Sequence, residues 1–492
     1  MVEIWPLSVF YRAYFGTMKF KERFAFCMCL VCLVVPFLWL RWQISDENKH
    51  PLILSVSDTQ SLMDEMDFNR VDHTHRKQRS NEQMLMSRSE RKDHVKPSVS
   101  ISLENREEKY VGDVDAEQGK KLKRQDAIND VDYEYDDPWT IWKDMVKSRQ
   151  ITSNNDSDSI NMILEAMIYK PIVAAGVGHG GTQLKASLIL EGNQRVVFKP
   201  MRYSRDYVIE GPPYKGFDRH NGEIAAFHLD RILGFYRAPP VAGRRVNLEE
   251  EIEPIGEKRL MDTFFKEGMK NYCINSKNTC FYGVCYYCKK AEAACANGTV
   301  MEGSVTLWLP AGWPLKNWRH PWQRTYRDDR KALWEMDNTY CKKKVLRTPP
   351  YNSGPRLLDI MDTALFDFLI GNGDRHHYET FRDEGDSGML LHLDNAKSFG
   401  NPYHDEMSIL APVYQCCKVR KSTWNRFLSL SRERTPLSEL LRQATKDDPV
   451  APVLSEPQFK AIDRRLKIAM DTVKKCIRQN GESAVLVADQ VA

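Results

Sequence analysis

Apolar and polar positions along this chain change period several times, and each change marks an element. Leu358 to Ile370 is apolar at helical spacing and predicts a helix, followed directly by the polar run Gly371-Asn372-Gly373-Asp374-Arg375-His376-His377. Met389 to Leu393 alternates and predicts a strand that ends at Asp394. Upstream, a glycine-dense turn from Gly176 to Lys185 leads into the apolar run Ala186 to Leu190, and a second run, Val196 to Phe198, ends at Lys199-Pro200. That order reads as a strand hairpin with a lysine at its far end. Asp218 to Arg231 places Ile224, Phe227, His228 and Arg231 on one face of a predicted helix, with Asp218 at its cap and Glu223 in its first turns. Near the N-terminus, Phe24 to Leu40 is a charge-free apolar run of 17 residues, at the short end of what spans a bilayer. From about Ser45 to Asp132 the chain is rich in charged residues, Ser and Gln and poor in aromatics, so it predicts a disordered stem. Aromatics return between Tyr133 and Trp142, where Trp139 and Trp142 lie three apart and predict the first docked helix of the folded unit.

The 492 residues would suffice for about three average domains, but the folded part is shorter. The expected division is a cytoplasmic tail (1–23), a transmembrane signal-anchor (24–40), a lumenal stem (41–132) and a folded unit (133–492). Arg12, Lys19, Lys21 and Arg23 precede the apolar run and Arg41 is the nearest basic residue after it, which orients the N-terminus to the cytoplasm. A cleaved signal peptide is the rival reading. Phe37-Leu38-Trp39-Leu40-Arg41-Trp42 offers no small-x-small cleavage site, which favours the anchor. Mixed charges and a net charge of only +4 give no reason to expect a nucleic-acid partner.

Of the 12 cysteines, Cys27, Cys29 and Cys32 lie in the anchor run, where palmitoylation and plain packing both fit. Cys280, Cys285, Cys288 and Cys295 cluster at spacings that suit zinc in a cytosolic protein and disulfides in a lumenal one. Behind an anchor, disulfides are the better account; four cysteines allow three connectivities, which spacing does not rank. Sequons at Asn155 and Asn297 fit glycosylation in the same compartment.

Asp374 and Asp394, twenty residues apart, carry the candidate chemistry. Phosphoryl transfer needs one carboxylate to accept a hydroxyl proton and another to hold the metal that bridges the nucleotide phosphates. Either aspartate alone could equally cap a helix or a turn. The glycine turn would let backbone approach phosphates, although it is neither a Walker loop nor a clean Gly-x-Gly-x-x-Gly, and an ordinary glycine hairpin also fits. The order of glycine turn, lysine strand, acidic helix, Asp loop and Asp strand is rare in ordinary globular proteins. His376 and His377 lack a third ligand at zinc spacing, so their expected task is to hold the Asp374 loop.

From about Met162 onward the chain resembles the secretory-pathway kinases of the Golgi. The strings that carry the resemblance are Gly181-Thr182-Gln183-Leu184-Lys185, Arg219-His220-Asn221, Ala225-Ala226-Phe227-His228-Leu229-Asp230-Arg231, Cys280-Phe281-Tyr282-Gly283, Asp374-Arg375-His376-His377-Tyr378-Glu379 and Gln415-Cys416-Cys417. The resemblance implies an α+β, atypical two-lobed protein-kinase-like fold, disulfide-stabilised and preceded by a single transmembrane helix and a disordered stem. Its N-lobe would span about 160–300 and its C-lobe about 301–492. It implies ATP and a divalent cation, typically Mn2+, with Mg2+ as the alternative. Gln183, Lys185 and Lys199 would meet the phosphates, Asp218 and Asp394 the metal, and Asp374 would be the catalytic base. Glu379 would stand where ordinary kinases keep a metal-binding Asn, Thr306-Leu307-Trp308-Leu309 would be the hinge against the base, and Glu223 is a secondary candidate for lysine or metal. The protein-phosphorylating branch has a glutamate at the position of Asp218, a longer reach toward a cation.

The implied disulfides are Cys280–Cys295, Cys285–Cys288, Cys341–Cys416 and Cys417–Cys476, leaving Cys273 without a partner. The implied place is the Golgi membrane, single-pass type II with the catalytic domain lumenal, and a homo- or heterodimer with a related kinase is the expected assembly. Asp394 to Pro402 and Ser422-Thr423-Trp424-Asn425-Arg426 resemble the branch that phosphorylates the 2-hydroxyl of xylose in the proteoglycan linkage region, making that oligosaccharide the expected acceptor. A serine/threonine kinase of secreted proteins is the alternative. A pseudokinase-like activator is the third reading, against which Lys199, Asp218, Asp374 and Asp394 all count. Trp308, Trp313 and Trp318 offer faces for a sugar, although a core role is commoner for any one Trp.

Overall fold

The computed structural model describes residues 137–147, 149–153, 157–268, 277–327 and 329–489. The expected tail, anchor and stem, the residues 133–136, Asn155 and Cys273 lie outside the described residues. Among the described residues no helix is long and apolar enough to cross a membrane.

The N-terminal part is built on an antiparallel sheet of β1 (Ile172–Val177), β2 (Ala186–Leu190), β3 (Gln194–Pro200), β4 (Val241–Asn247) and β8 (Val300–Leu307), in the order β1-β2-β3-β8-β4. Register pairs Ala186 with Phe198, Lys199 with Ser304, and Val241 with Thr306. Since β8 runs to Leu307, the sheet extends past the lobe boundary expected at about residue 300. Leu188, Val196, Phe198, Val246 and Val305 bury their side chains in one core. Helix α1 (Pro138–Met145) starts with Pro138 in its first turn and with Asp137 accepting from the Thr140 N–H, a cap suited to both residue types. It docks by Trp139 and Trp142, both buried, whose indole N–H groups donate to Glu191 O at 2.8 Å and Trp308 O at 3.1 Å. Helix α2 (Ser157–Tyr169) packs beside it. A smaller sheet, β5 (Phe264–Gly268), β6 (Lys277–Phe281) and β7 (Ala294–Cys295), carries the disulfide Cys280–Cys295, with Cys285–Cys288 in the loop beyond β6.

Helix α3 (His220–Leu233) is buried along most of its length, its polar His220, Asn221, Glu223 and Asp230 included, and ends at Gly234 in the left-handed region (φ 78°). Its cap is Arg219, which makes no capping side-chain bond, so Asp218 is not the cap expected from sequence. The Asp218 carboxylate is drawn instead to the Lys199 ammonium, 3.0 Å away.

The C-terminal part is helical. Helix α4 (Arg356–Ile370) is buried along its whole length, and Gly371 (φ 71°) stops it with N–H bonds back to Asp367 O and Phe368 O. Around it lie α5 (Lys421–Arg432), α6 (Leu437–Thr445) and the long α7 (Glu456–Asn480), which opens with a reciprocal Ser455/Gln458 capping box. Strands β9 (Leu315–Arg319) and β10 (His377–Phe381) form a hairpin-like pair that sets Glu379 opposite Asn317. Disulfides Cys341–Cys416 and Cys417–Cys476 tie this part together.

The strand expected at Met389–Leu393 is absent. The segment is extended without a ladder, and Met389, Leu390, Leu391 and His392 are all buried, so no face is left for the polar side of an alternating strand. In place of a ladder its backbone makes single backbone bonds, from Leu391 N–H to Glu379 O and from His392 N–H to Arg237 O, both 3.0 Å.

Candidate functional site

The site is built around one lysine. Lys199 stands near the end of β3, and its Nζ reaches Glu223 Oε1 at 2.7 Å, Asp394 Oδ1 at 2.7 Å and Asp218 Oδ2 at 3.0 Å. Each carboxylate comes from a different element: α3, the segment after Leu393, and the loop before α3. Burial alone would lower the pKa of Lys199, but Asp218, Asp394 and Glu223 together raise it well above the usual lysine value. The Lys199 charge in turn pulls Asp394 below the ordinary carboxylate range, against its burial. The side chain of Asp394 is 80% exposed and lines the cleft. Its backbone sits in the left-handed region (φ 54°), uncommon for a residue other than Gly and a mark of a position fixed by its surroundings.

Beside this cluster opens a cleft of about 560 Å3, a size suited to a small-molecule ligand. Its lining includes Lys185, Lys199, Glu223, Glu379 and Asp394, and on the other wall Thr306, Leu307, Trp308 and Leu309. The Thr306 Oγ1 is buried there without a hydrogen-bond partner, an open position on the wall for a bound polar group. Across the glycine turn, a Cβ on Gly178 would stand 2.4 Å from Lys185 Cγ, and one on Gly181 would stand 2.7 Å from Lys185 Nζ. Both positions must be glycine for the lysine to lie along the turn. The pKa of Lys185 is lowered by burial and by the charge of Lys199, so this amine gains from any anion that enters.

Three expected residues are not part of the cleft lining: Gln183, Asp218 and Asp374. Gln183 Oε1 accepts from the Asp218 N–H at 3.4 Å, which keeps the turn and the carboxylate together. Asp374 lies in the loop after α4, its N–H donated to Asn372 Oδ1 at 3.1 Å, while His376 Nδ1 stands 2.8 Å from its carbonyl oxygen. His376 therefore helps shape the loop, whereas His377 belongs to β10 opposite Arg319. Glu379 accepts from Asn317 Nδ2 at 2.8 Å, and burial raises its pKa.

Sequence patterns missed the residues that hold the site. Arg375 makes a two-pronged bond to Asp367 at 2.7 and 2.9 Å, donates to Asn395 Oδ1 at 2.7 Å and to Leu393 O, and so pins the Asp374 loop to the Asp394 segment. The Asn395 N–H donates to Glu223 Oε2 at 3.1 Å. Lys397 Nζ lies 3.9 Å from Asp218 Oδ1 and donates to Gly216 O. Trp313 lines the cleft beside Trp308 and lies 4.6 Å from Phe381, while Trp318 serves packing, the Lys316 ammonium and the Arg356 guanidinium lying over its ring at 3.8 and 4.6 Å.

The donor set suits a hard divalent cation. Asp394 and Asp218 supply carboxylate oxygens of the kind that hold such ions together with nucleotide phosphates. Among the described residues, the closest set of metal-ligand types is Glu267 with Cys280 and Cys295, but those sulfurs are joined to each other and hold no zinc.

A family profile described as "Fam20C: Golgi casein kinase, C-terminal, Fam20" matches residues 137–485. A human protein named glycosaminoglycan xylosylkinase is 55% identical over 361 residues, covering 73% of this chain and 85% of that one. Among solved structures, one described as hydra Fam20 with sugar superposes with a TM-score of 0.68 at 49% identity, covering 72% of this chain and 99% of that one. The Golgi casein kinase with Mn/ADP bound does so with a TM-score of 0.68 at 36% identity, covering 72% and 84%. With its kinase-like arrangement of sheet, cleft and helical part, this chain belongs to the Fam20 family.

Proposed function

We propose that this protein transfers the γ-phosphoryl group of ATP to the 2-hydroxyl of xylose in the glycosaminoglycan–protein linkage region, promoting glycosaminoglycan chain biosynthesis. The observation that carries the reading is the Lys199 cluster beside a nucleotide-sized cleft, in a chain that is 55% identical to a named xylosylkinase. Gln183, Lys185 and Lys199 take the phosphates, and Thr306 to Leu309 border the base. Asp394 and Asp218 hold the divalent cation, Mn2+ or Mg2+, with Glu379 beside them; when bound, it neutralises charge on the phosphates. Glu223 fixes Lys199, and Asp374 accepts the proton of the acceptor hydroxyl. Arg375 keeps Asp374 and Asp394 in one frame.

The same reading makes the protein a single-pass type II protein of the Golgi membrane with a lumenal catalytic unit, glycosylated at Asn155 and Asn297. Asn297 is exposed, as an acceptor must be. Protease added to intact microsomes then leaves everything beyond the anchor uncut; digestion of the catalytic unit without detergent overturns this topology.

The test of substrate compares kcat/KM for a galactosyl-xylose acceptor and for a Ser-x-Glu peptide, with Asp374→Ala as the inactive control. The sugar is expected to win by at least about 100-fold, about 2.7 kcal/mol of transition-state discrimination. Comparable rates, or preference for the peptide, move the protein to the protein-kinase branch of the family.

A further inference from the structure

The loop that carries Cys285 and Cys288 touches the glycine turn directly. Cys285 Sγ lies 3.2 Å from the Thr182 carbonyl oxygen. Two residues earlier, Gly283 (φ 62°) presses its backbone on Leu184 so closely that a Cβ there would stand 2.5 Å from Leu184 Cδ1. The loop is itself anchored, with the Gly283 N–H donating to Thr263 Oγ1 at 3.1 Å. Thr182 and Leu184 flank Gln183 and precede Lys185, so the loop bears on the two side chains of the turn that the proposed function assigns to phosphate.

The bridge itself is unlike the other three. Its cysteines are 3 apart in sequence, against 15, 75 and 59 for the others. The constraint a disulfide places on the unfolded chain grows with the logarithm of the loop it closes, so this bridge contributes least to global stability. What it fixes is the local shape of the loop. Both of its sulfurs lie near the surface, although Cys295 of another bridge is the more exposed single cysteine. Cys285 and Cys288 are both half-buried, whereas every other bridge has at least one buried cysteine: Cys280, Cys341 with Cys416, or Cys476. A recess of about 690 Å3 lined by Gly180, Gly181, Val284 and Cys285 opens on the same contact.

We propose that the Cys285–Cys288 disulfide is a reducible brace of the phosphate-binding turn: intact, it holds Thr182 to Lys185 in the binding geometry, and its reduction weakens nucleotide affinity without unfolding the protein. The inference rests on the glycine turn being the phosphate site. The reductant is a dithiol. Its two thiols give up two electrons and two protons and close to a disulfide, while the Cys285–Cys288 bond breaks and each sulfur becomes a thiol. Cys285 and Cys288 are positioning residues, acting through the turn they support.

The test uses the full chain in detergent, titrated with dithiothreitol, with alkylation and peptide mass mapping at each step. Cys285 and Cys288 are expected to label first. At that point the Kd for ATP in the presence of Mn2+ rises about 10-fold, while kcat at saturating ATP and the unfolding temperature change little. A Cys285→Ser/Cys288→Ser double variant should show the raised Kd before any dithiol is added and no further change afterwards. First labelling at another pair, or an unchanged Kd once these two are labelled, overturns the brace, and the wild-type titration decides the matter even if the double variant fails to fold. Failure of the oxidised wild-type protein to bind ATP at all would instead overturn the functional reading.

Discussion

Two dense groups of charged side chains sit in this molecule, and they are built to opposite ends. Around Lys199, one ammonium meets Asp218, Glu223 and Asp394, and Asp394 faces the cleft. Around α4, Asp359 and Asp362 meet three guanidinium groups, from Arg149 (2.7 Å to Asp359), Arg237 (2.8 Å to Asp362) and Arg420 (2.6 Å to Asp359), with Thr423 donating to Asp362 at 2.6 Å. Both aspartates are fully buried. The second group is sealed and nearly balanced, so its charges answer one another. The first is open to the cleft, so an entering cation or phosphate can reach Asp394. Density of ion pairs alone does not mark a functional site; charged groups with a path to solvent do.

The comparison can be broken most forcefully at the sealed group. Asp362→Ala leaves Arg237 and Arg420 buried against a missing carboxylate and should cost about 3–5 kcal/mol of stability, the range for breaking a buried pair, measured by urea unfolding. A loss under about 1 kcal/mol would mean that the group is not structural. At the open group the pattern should invert. Asp394→Asn is expected to lower turnover by about 100-fold, about 2.7 kcal/mol, and to abolish the Mn2+ dependence of ATP binding, with a smaller stability loss than Asp362→Ala because Asp218 and Glu223 still pair Lys199. Unfolding as severe as that of Asp362→Ala would erase the distinction.

Acid sharpens it further. His320 is buried and its pKa is lowered to about 3, by burial and then by Arg375 and the neighbouring imidazoles; burial also lowers the pKa of His392, against its bond to Asp230. Both stay neutral in the folded state and take up a proton near pH 6.5 in the unfolded one, so stability is full above 6.5 and falls as pH drops toward the folded values. From pH 7.5 to 5.5 His320 should remove roughly 1 kcal/mol, read as a falling unfolding temperature and suppressed by His320→Gln, with His392 acting in the same direction. Asp394, with its pKa depressed, stays ionised throughout that range, so the open group contributes nothing to the loss.

How far these groups were legible in the sequence follows from how local each one is. The glycine turn, the Lys199 strand end, Glu223 one turn into its helix and the Asp374 loop after α4 announce themselves within a few residues, because turn chemistry and helical period are short-range. Met389–Leu393 misleads because alternation assumes one wet face, and the fold leaves none. Asp218 misleads because a carboxylate before a helix reads as a cap, while an ammonium 19 positions earlier in the chain attracts it more strongly. Arg375 and the partners of Asp359 and Asp362 left no local signal at all: Arg149 and Asp359 stand 210 positions apart. Resemblance supplied the disulfide pairing that spacing left open.

Adjacent Cys416 and Cys417 send their bridges in opposite directions, to Cys341 and to Cys476. A protease that cuts anywhere between Cys341 and Cys416, or between Cys417 and Cys476, therefore releases nothing. The two pieces stay joined through sulfur and migrate as one band until thiol is added. The exception is the single peptide bond between Cys416 and Cys417, the only place in that span where one cut separates the halves. Intact mobility on a non-reducing gel is accordingly no sign of an unbroken chain in this protein.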